Sequence, residues 1–228
     1  MKTLPISIQT LALILLALAL GSQVRAQDSD SGQASPPSPP YVRALSGDFA
    51  LVRKFSYPSG NSLTPEQKAE QGIPTNLTEV DAVKKGAVRK DTEHFLDGSG
   101  RTIWRVDAYR FIVYLAHPDE VTLNYAGGPN DSPLLGRYRD AADFPELDWI
   151  TAGTFQGVQM WQDKKCFAYK NGDDAAWIDF ATHLPLYYSS KTVQITYTWS
   201  NPPDEPLNLP AGYLEKLNKY KRAMRGQD

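Results

Sequence analysis

The clearest pattern in the chain is the alternation in VQITYTW (193–199). Val193, Ile195, Tyr197 and Trp199 fall on one side, and Gln194, Thr196 and Thr198 on the other. A period of two in β-branched and aromatic residues predicts a strand with one buried face and one wet face, the habit of antiparallel sheets. The same texture recurs along the chain. GDFALVRKFSY (47–57) alternates until Pro58-Ser59-Gly60 stops it, and GAVRKDTEHFL (86–96) reads as a half-exposed strand. RTIWRVDAYRFIVYLA (101–116) and VTLNYA (121–126) continue in extended character. TFQGVQMW (154–161), KKCFAYK (164–170), AWID (176–179) and LPLYYSS (184–190) follow. Turn residues separate these runs: Asp97-Gly98-Ser99-Gly100, His117-Pro118-Asp119-Glu120 and Asn171-Gly172-Asp173-Asp174.

Two stretches break the rhythm. GGPNDSPLLGRYRDAADFPELDWITAG (127–153) is rich in Gly, Pro and Asp yet carries Leu134, Leu135, Tyr138, Phe144, Leu147, Trp149 and Ile150. A loop of that length inside one domain reads as a lid or binding loop, and its apolar residues predict that it packs onto something. FPELDWI predicts one short helical turn. In AGYLEKLNKYKRAMR (211–225), Tyr213, Leu214, Leu217, Tyr220 and Met224 recur at helical spacing. Lys221, Arg222 and Arg225 sit where a helix C-terminus favours positive charge. This predicts an amphipathic helix docked on the sheet. A shorter helix is predicted over TPEQKAEQG (64–72), with Thr64 as cap and Pro65 in the first position.

The fold class that follows is mainly β, or α+β. It is a curved antiparallel sheet, an incomplete, half-barrel-like meander, with a C-terminal amphipathic helix and a long covering loop.

The start of the chain changes the picture of where this domain works. Lys2, the apolar run LALILLALAL (11–20) and GSQVRA form the three parts of a cleaved signal peptide, residues 1–26. The apolar run is shorter than the roughly 18 to 20 residues of a membrane-spanning helix. Residues 27–43 begin QDSDSGQASPPSPP, too polar and Pro/Ser-rich to build a core, and read as a disordered tether. Residues 44–228 then form a single antiparallel β domain ending in the helix at about 211–225. The expected address is exported, periplasmic or extracellular, and soluble, with no transmembrane segment after signal cleavage.

Composition removes some function classes. With 24 Lys and Arg against 26 Asp and Glu, the net charge is −2. Lys2 and Arg25 lie in the leader, so the remainder is more acidic still, which argues against nucleic acid as a partner. Cys166 is the only cysteine, so an intrachain disulfide and a cysteine-based zinc site are both excluded. It reads as a small buried hydrophobe, although Lys164 and Lys165 stand close enough to favour a thiolate.

The three histidines, His94, His117 and His183, form no H-x-x-x-H pattern, and Glu93 and His94 face opposite ways on a strand. Gly98-Ser99-Gly100 is a hairpin turn rather than a nucleophile elbow. No catalytic motif stands out. The expectation is therefore a non-enzymatic protein without cofactor or metal site. In AWIDFATHLPLYY, Asp179 and His183 are four apart, but Pro185 disfavours a helix there. Both are read as parts of a turn, with Asp179 accepting backbone N–H groups.

The positive signal is aromatic. Trp104, Phe111, Tyr125, Trp161, Trp177, Tyr187, Tyr197 and Trp199 all fall on predicted strands. They read either as cross-strand packing or as the lining of an apolar cavity for a hydrophobic ligand. AWIDFATHLPLYYSSKTVQITYTW resembles the closing hairpins of the periplasmic lipoprotein-carrier family (LolA-like). The shared pattern is a strand ending in Ile178-Asp179, a turn with Thr182, and Leu184-Pro185 opening the next strand. The resemblance spans roughly 154–199 and marks a distant relative. It implies an incomplete barrel, concave and apolar inside, that holds acyl chains or hydrophobic peptides. The chain differs from that pattern in its 127–153 loop and its C-terminal helix. The function expected is binding or carrying a hydrophobic or lipid-like ligand in the concave face of the sheet. The alternative is a cell-envelope interaction or structural module with a protein partner and no small ligand.

Overall fold

A computed structural model describes residues 34–58, 76–125 and 143–225. The leader, the helix expected at 64–72 and the first part of the long loop lie outside the described residues. The rest is one curved, unclosed, all-antiparallel sheet of eleven strands with a single C-terminal helix. The strands are β1 Phe49–Ser56, β2 Leu77–Lys85, β3 Val88–Phe95, β4 Gly100–Val106, β5 Tyr109–Tyr114, β6 Val121–Tyr125, β7 Phe155–Trp161, β8 Lys164–Asn171, β9 Asp174–Asp179, β10 Pro185–Ser189 and β11 Gln194–Ser200. The helix, α1, is Ala211–Met224, and short 3-10 turns occupy Pro145–Leu147 and Ala152–Thr154. The alternating runs became strands, FPELDWI holds one helical turn, and RTIWRVDAYRFIVYLA is two strands folded at Asp107.

The spatial order is β6-β5-β4-β3-β2-β1-β11-β10-β9-β8-β7. Two meanders, β1–β6 and β7–β11, join at the centre, where Leu51 lies opposite Trp199 and Arg53 opposite Tyr197. This order explains the long loop. Because β6 and β7 are opposite edges, the chain between them must cross the whole sheet. Ten strand spacings span about 48 Å on a flat sheet, far beyond a hairpin turn.

Residues paired directly across strands face the same side, so the registers sort every side chain onto one of two faces. One face carries Phe49, Leu51, Phe55, Val80, Phe167, Ile178, Ile195 and Tyr197, and with Phe144, Leu147 and Ile150 it forms the main core. Call this the strap face, since residues 143–150 lie across it. The other, the helix face, carries Trp104, Phe111 and Tyr109, which pack under α1.

In α1 only part of the predicted stripe meets the sheet. Tyr213 stacks on Phe111 at 5.3 Å, Tyr220 meets Tyr109 edge-on at 6.0 Å, and Leu217 is buried. Leu214 and Met224 face solvent. The helix is narrower in its contact than its composition suggests because the β4–β6 margin it covers is only three strands wide.

The turns follow local chemistry. Between β7 and β8, Gln162 and Asp163 both adopt positive φ, 45° and 63°, as a two-residue hairpin turn matched to strand twist requires. Asp97 caps the next-but-one residue, its Oδ1 accepting the Ser99 N–H at 2.9 Å and Oγ–H at 2.6 Å. The AWIDFATHLPLYY hairpin is a turn of the kind expected. Asp179 Oδ1 accepts the N–H groups of Ala181 (3.0 Å) and Thr182 (2.8 Å) and the Thr182 hydroxyl (2.9 Å). His183 closes it with φ of 58°. Its ring leans edge-on against Phe167 at 5.2 Å, so it and Asp179 are shoulders of a turn.

Candidate ligand-binding face

The strap is built by spacing. Pro145 opens a single 3-10 turn, so Phe144, Leu147 and Ile150, three apart, project to one side and are all buried in the core. Phe144 stands edge-on to Tyr197 at 5.7 Å and to Trp199 at 6.0 Å. Trp149 turns back, donating Nε1–H to the Glu146 carbonyl at 2.8 Å.

Two acidic side chains pin this apolar row, Asp143 just before Phe144 and Glu146 between Phe144 and Leu147. Asp143 accepts the Leu45 N–H at 3.0 Å and the Arg89 guanidinium at 3.2 Å. Glu146, almost wholly buried, accepts the Tyr197 hydroxyl hydrogen and lies 4.0 Å from Arg53. Burial first, and the nearby Glu146 carboxylate second, push the Tyr197 phenol well above its ordinary range.

The strap face also holds a charged ladder on β3 and β4, where alternation predicts only a half-exposed strand and an extended run. Asp91 is buried between Arg89 (Nε to Oδ1, 2.8 Å) and Arg105 (Nε to Oδ2, 2.8 Å), and Arg101 meets Glu93 at 2.6 Å. The two arginines differ. Burial works against the charge of both. At Arg89 the carboxylates of Asp91 and Asp143 outweigh it and raise the pKa, whereas at Arg105 burial prevails and lowers the pKa, the attraction of Asp91 being countered by the repulsion of Arg89 and Arg53. The Arg105–Asp91 contact is close but poorly directed, and neither atom completes a hydrogen bond among the described residues. The signal in the sequence was the spacing itself. Arg89, Asp91 and Glu93 alternate on one strand, as Arg101 and Arg105 do on the next.

Two depressions adjoin the strap. The larger, about 450 Å³, is lined mainly by Tyr41, Val42, Phe144, Leu147 and Ile150. The smaller, about 360 Å³, is polar, lined by Lys84, Arg89, Arg105, Asp107 and Asp143. Asp143 lines both, so an apolar groove and a charged pocket share a wall. Residues 41–43, placed at the end of the tether by composition, dock here. Tyr41 and Val42 pack against the core, Tyr41 edge-on to Tyr169 at 6.1 Å, and the Arg43 N–H donates to the His183 carbonyl at 2.9 Å. The Tyr169 hydroxyl is buried without a hydrogen-bond partner among the described residues.

The eight aromatic residues singled out in the sequence fall into three groups. Trp104, Phe111 and Tyr125 lie beneath α1 on the helix face. Trp161, Trp177 and Tyr187 form a stack on the far end of the same face, with ring separations of 5.4 and 5.6 Å about Tyr187. Tyr197 and Trp199 alone are on the strap face, held by Phe144 and, for Trp199, by an Nε1–H bond to the Pro185 carbonyl at 2.8 Å. The structure thus brings two of the eight to the groove's neighbourhood. The face of a strand residue depends on register, which alternation alone does not give. Cys166 is wholly buried, and burial pushes its thiol up despite Lys164, as expected of an inert residue.

No protein-family profile and no curated protein sequence matches the chain. Among solved structures, the lipoprotein LppX of Mycobacterium tuberculosis is similar over 71% of this chain and 88% of its own, with 10% identity and a TM-score of 0.37. At that level the likeness carries no argument about this chain. Among the described residues, no helix is long and apolar enough to cross a membrane.

Proposed function

We propose that this protein binds a hydrophobic or lipid-like ligand on the strap face, entering through the groove between residues 40–44 and 143–150. The observation that carries this reading is the groove itself. It is about 450 Å³, within the size range of small-molecule sites, and its walls are two irregular segments rather than paired strands. Irregular cover can shift without breaking a β-ladder, and each methylene buried beneath it contributes about 0.8 kcal/mol. The adjoining charged pocket, which shares Asp143 with the groove, supplies polar contacts for one end of an amphiphile. Nothing in this reading calls for a bond to be made or broken in the ligand, so the role is binding or carriage in an exported protein.

Titration with a fluorescent fatty-acyl probe, paired with native mass spectrometry of protein purified from its own host, tests the proposal. One saturable site is expected, lost or weakened at least tenfold in Val42→Asp. A protein that carries no ligand from its host and binds no acyl probe would sink it.

One feature favours a second reading, an envelope interaction module. β7 is an edge strand whose outer side has no strand partner among the described residues, and Met160 on it is 66% exposed. Such an edge can accept a strand from a partner protein. Crosslinking from Met160→Cys in cells would give a discrete adduct if this reading holds.

A further inference from the structure

We propose that Glu79, Asp81 and His94, on the helix face, form a binding site for a divalent transition-metal ion. Glu79 and Asp81 are two apart on β2 and therefore share a face. His94 on β3 lies directly opposite Glu79 and diagonally across from Asp81, whose own partner is Thr92. This register brings one ligand atom from each side chain within 4.8 Å of the other two, with His94 Nε2 already 3.8 Å from Asp81 Oδ2. A tetrahedral ion with ligand distances near 2.0–2.1 Å holds its ligands about 3.3 Å apart. The closure required is of the order of an ångström and falls within side-chain rotation.

The scaffold suits the task. β2 and β3 are both interior strands, paired on each side, so their Cα positions are fixed by ladders to β1 and β4. The three side chains are half-exposed, which leaves the approach and a fourth coordination position open to water. The electrostatics also suit it. Among the described residues, the one lysine or arginine paired with these two carboxylates is Lys54, whose Nζ is 3.4 Å from Glu79 Oε2. That leaves a local deficit of positive charge for an ion to fill.

Ligand chemistry narrows the ion. One imidazole nitrogen with two carboxylate oxygens is a borderline donor set that suits Zn²⁺, Cu²⁺ or Ni²⁺. Ca²⁺ takes six to eight oxygens, and Mg²⁺ near-ideal octahedral oxygen geometry, which three residues including a histidine do not supply. The arrangement has three protein ligands and one open position, as in zinc sites that keep a solvent molecule. It escapes a search for motifs because its members are distributed over a hairpin, residues 79–94, and meet only through register.

The test is calorimetric titration of the untagged full chain with Zn²⁺, and separately with Ca²⁺ and Mg²⁺, for the unaltered protein, His94→Ala and Asp81→Asn. The expected result is one Zn²⁺ per chain at micromolar concentration, weakened at least tenfold in each variant, with no Ca²⁺ or Mg²⁺ binding in that range. Both variants alter outward-facing side chains, so circular dichroism should show an unchanged fold. Co²⁺ should give visible absorption bands of a four-coordinate ion that vanish in His94→Ala. Absence of saturable Zn²⁺ binding below 1 mM, or binding that survives in both variants, would overturn the assignment.

Discussion

The strap and α1 each cover a part of one sheet, but they do so by different means. α1 is a continuous helix that lays three aromatic and aliphatic side chains over β4–β6, with Lys221 above the Tyr109 ring at 4.9 Å. Its backbone hydrogen bonds are internal, so its cover depends on side chains, chiefly ring packing, with one Lys216 Nζ hydrogen bond to the Val121 carbonyl on β6. The strap has one helical turn and holds itself down by Asp143, Glu146 and three buried apolar residues. A helix covers a face as a rigid rod. An extended strap covers it through discrete anchors, and anchors can be released one at a time. That difference is why the ligand proposed above is assigned to the groove beside the strap rather than to the seam under the helix.

The comparison can be broken most directly at Phe144. Phe144→Ala removes the ring that bridges Tyr197 and Trp199, and a loss of about 3–5 kcal/mol is expected in chemical denaturation. A loss below 1 kcal/mol would mean that the strap is not part of the core at all.

Alkaline pH probes the strap face next. On the strap face Tyr169, Tyr188 and Tyr197 are buried, and burial raises all three phenols above their ordinary range. The unfolded chain loses these protons near pH 10 while the folded chain keeps them. The stabilising contribution is therefore complete below about pH 10 and falls as pH rises beyond it, by up to about 1.4 kcal/mol per pH unit for each tyrosine. Tyrosinate absorbance should then rise together with unfolding for these residues. Separate titration of all tyrosines before unfolding would contradict their burial.

Glu146→Gln sharpens the anchor picture. The amide still accepts the Tyr197 hydroxyl but no longer faces Arg53 with a charge, so a cost of about 2 kcal/mol is expected. Acyl-probe affinity should change with it, since the strap loosens. The smallest effect is expected from Tyr213→Ala on the helix. Loss of its stack on Phe111 and its contact with Trp104 costs about 1.5 kcal/mol, and probe affinity should stay unchanged. A Tyr213→Ala protein that loses the probe would place the ligand on the wrong side of the sheet for our reading.

Local features were legible from the chain, and non-local ones were not. Ten of the eleven strands, the C-terminal helix and the Asp179 turn each follow from a pattern contained within one short window, such as VQITYTW or the Asp179–Thr182 hydrogen bonds, whereas β2 lies in a polar stretch, LTEVDAVKK, that predicts no strand. The apolar residues of the loop's described part, Phe144, Leu147, Trp149 and Ile150, do pack on the core as their composition implied. What they pack on depends on the pairing of β1 with β11, whose residues are about 150 positions apart. The aromatic residues show the limit most clearly. Trp177 and Ile178 are neighbours in sequence, yet one joins the half-buried stack on the helix face and the other the core. Asp91 and Arg105 were similarly obscured, because a buried charge becomes intelligible only once its partner on the next strand is known.

The strand order has a consequence for how the chain reaches this structure. Within each meander every pairing joins sequence neighbours, and such contacts close quickly. Only β1 with β11 requires distant parts of the chain to find each other. The helix that follows β11 then settles on β4–β6, in the opposite meander. The two half-sheets are therefore expected to form first as separate local units. Their union at the centre should set the folding rate, with α1 and the strap acting afterwards as clasps from each half onto the other.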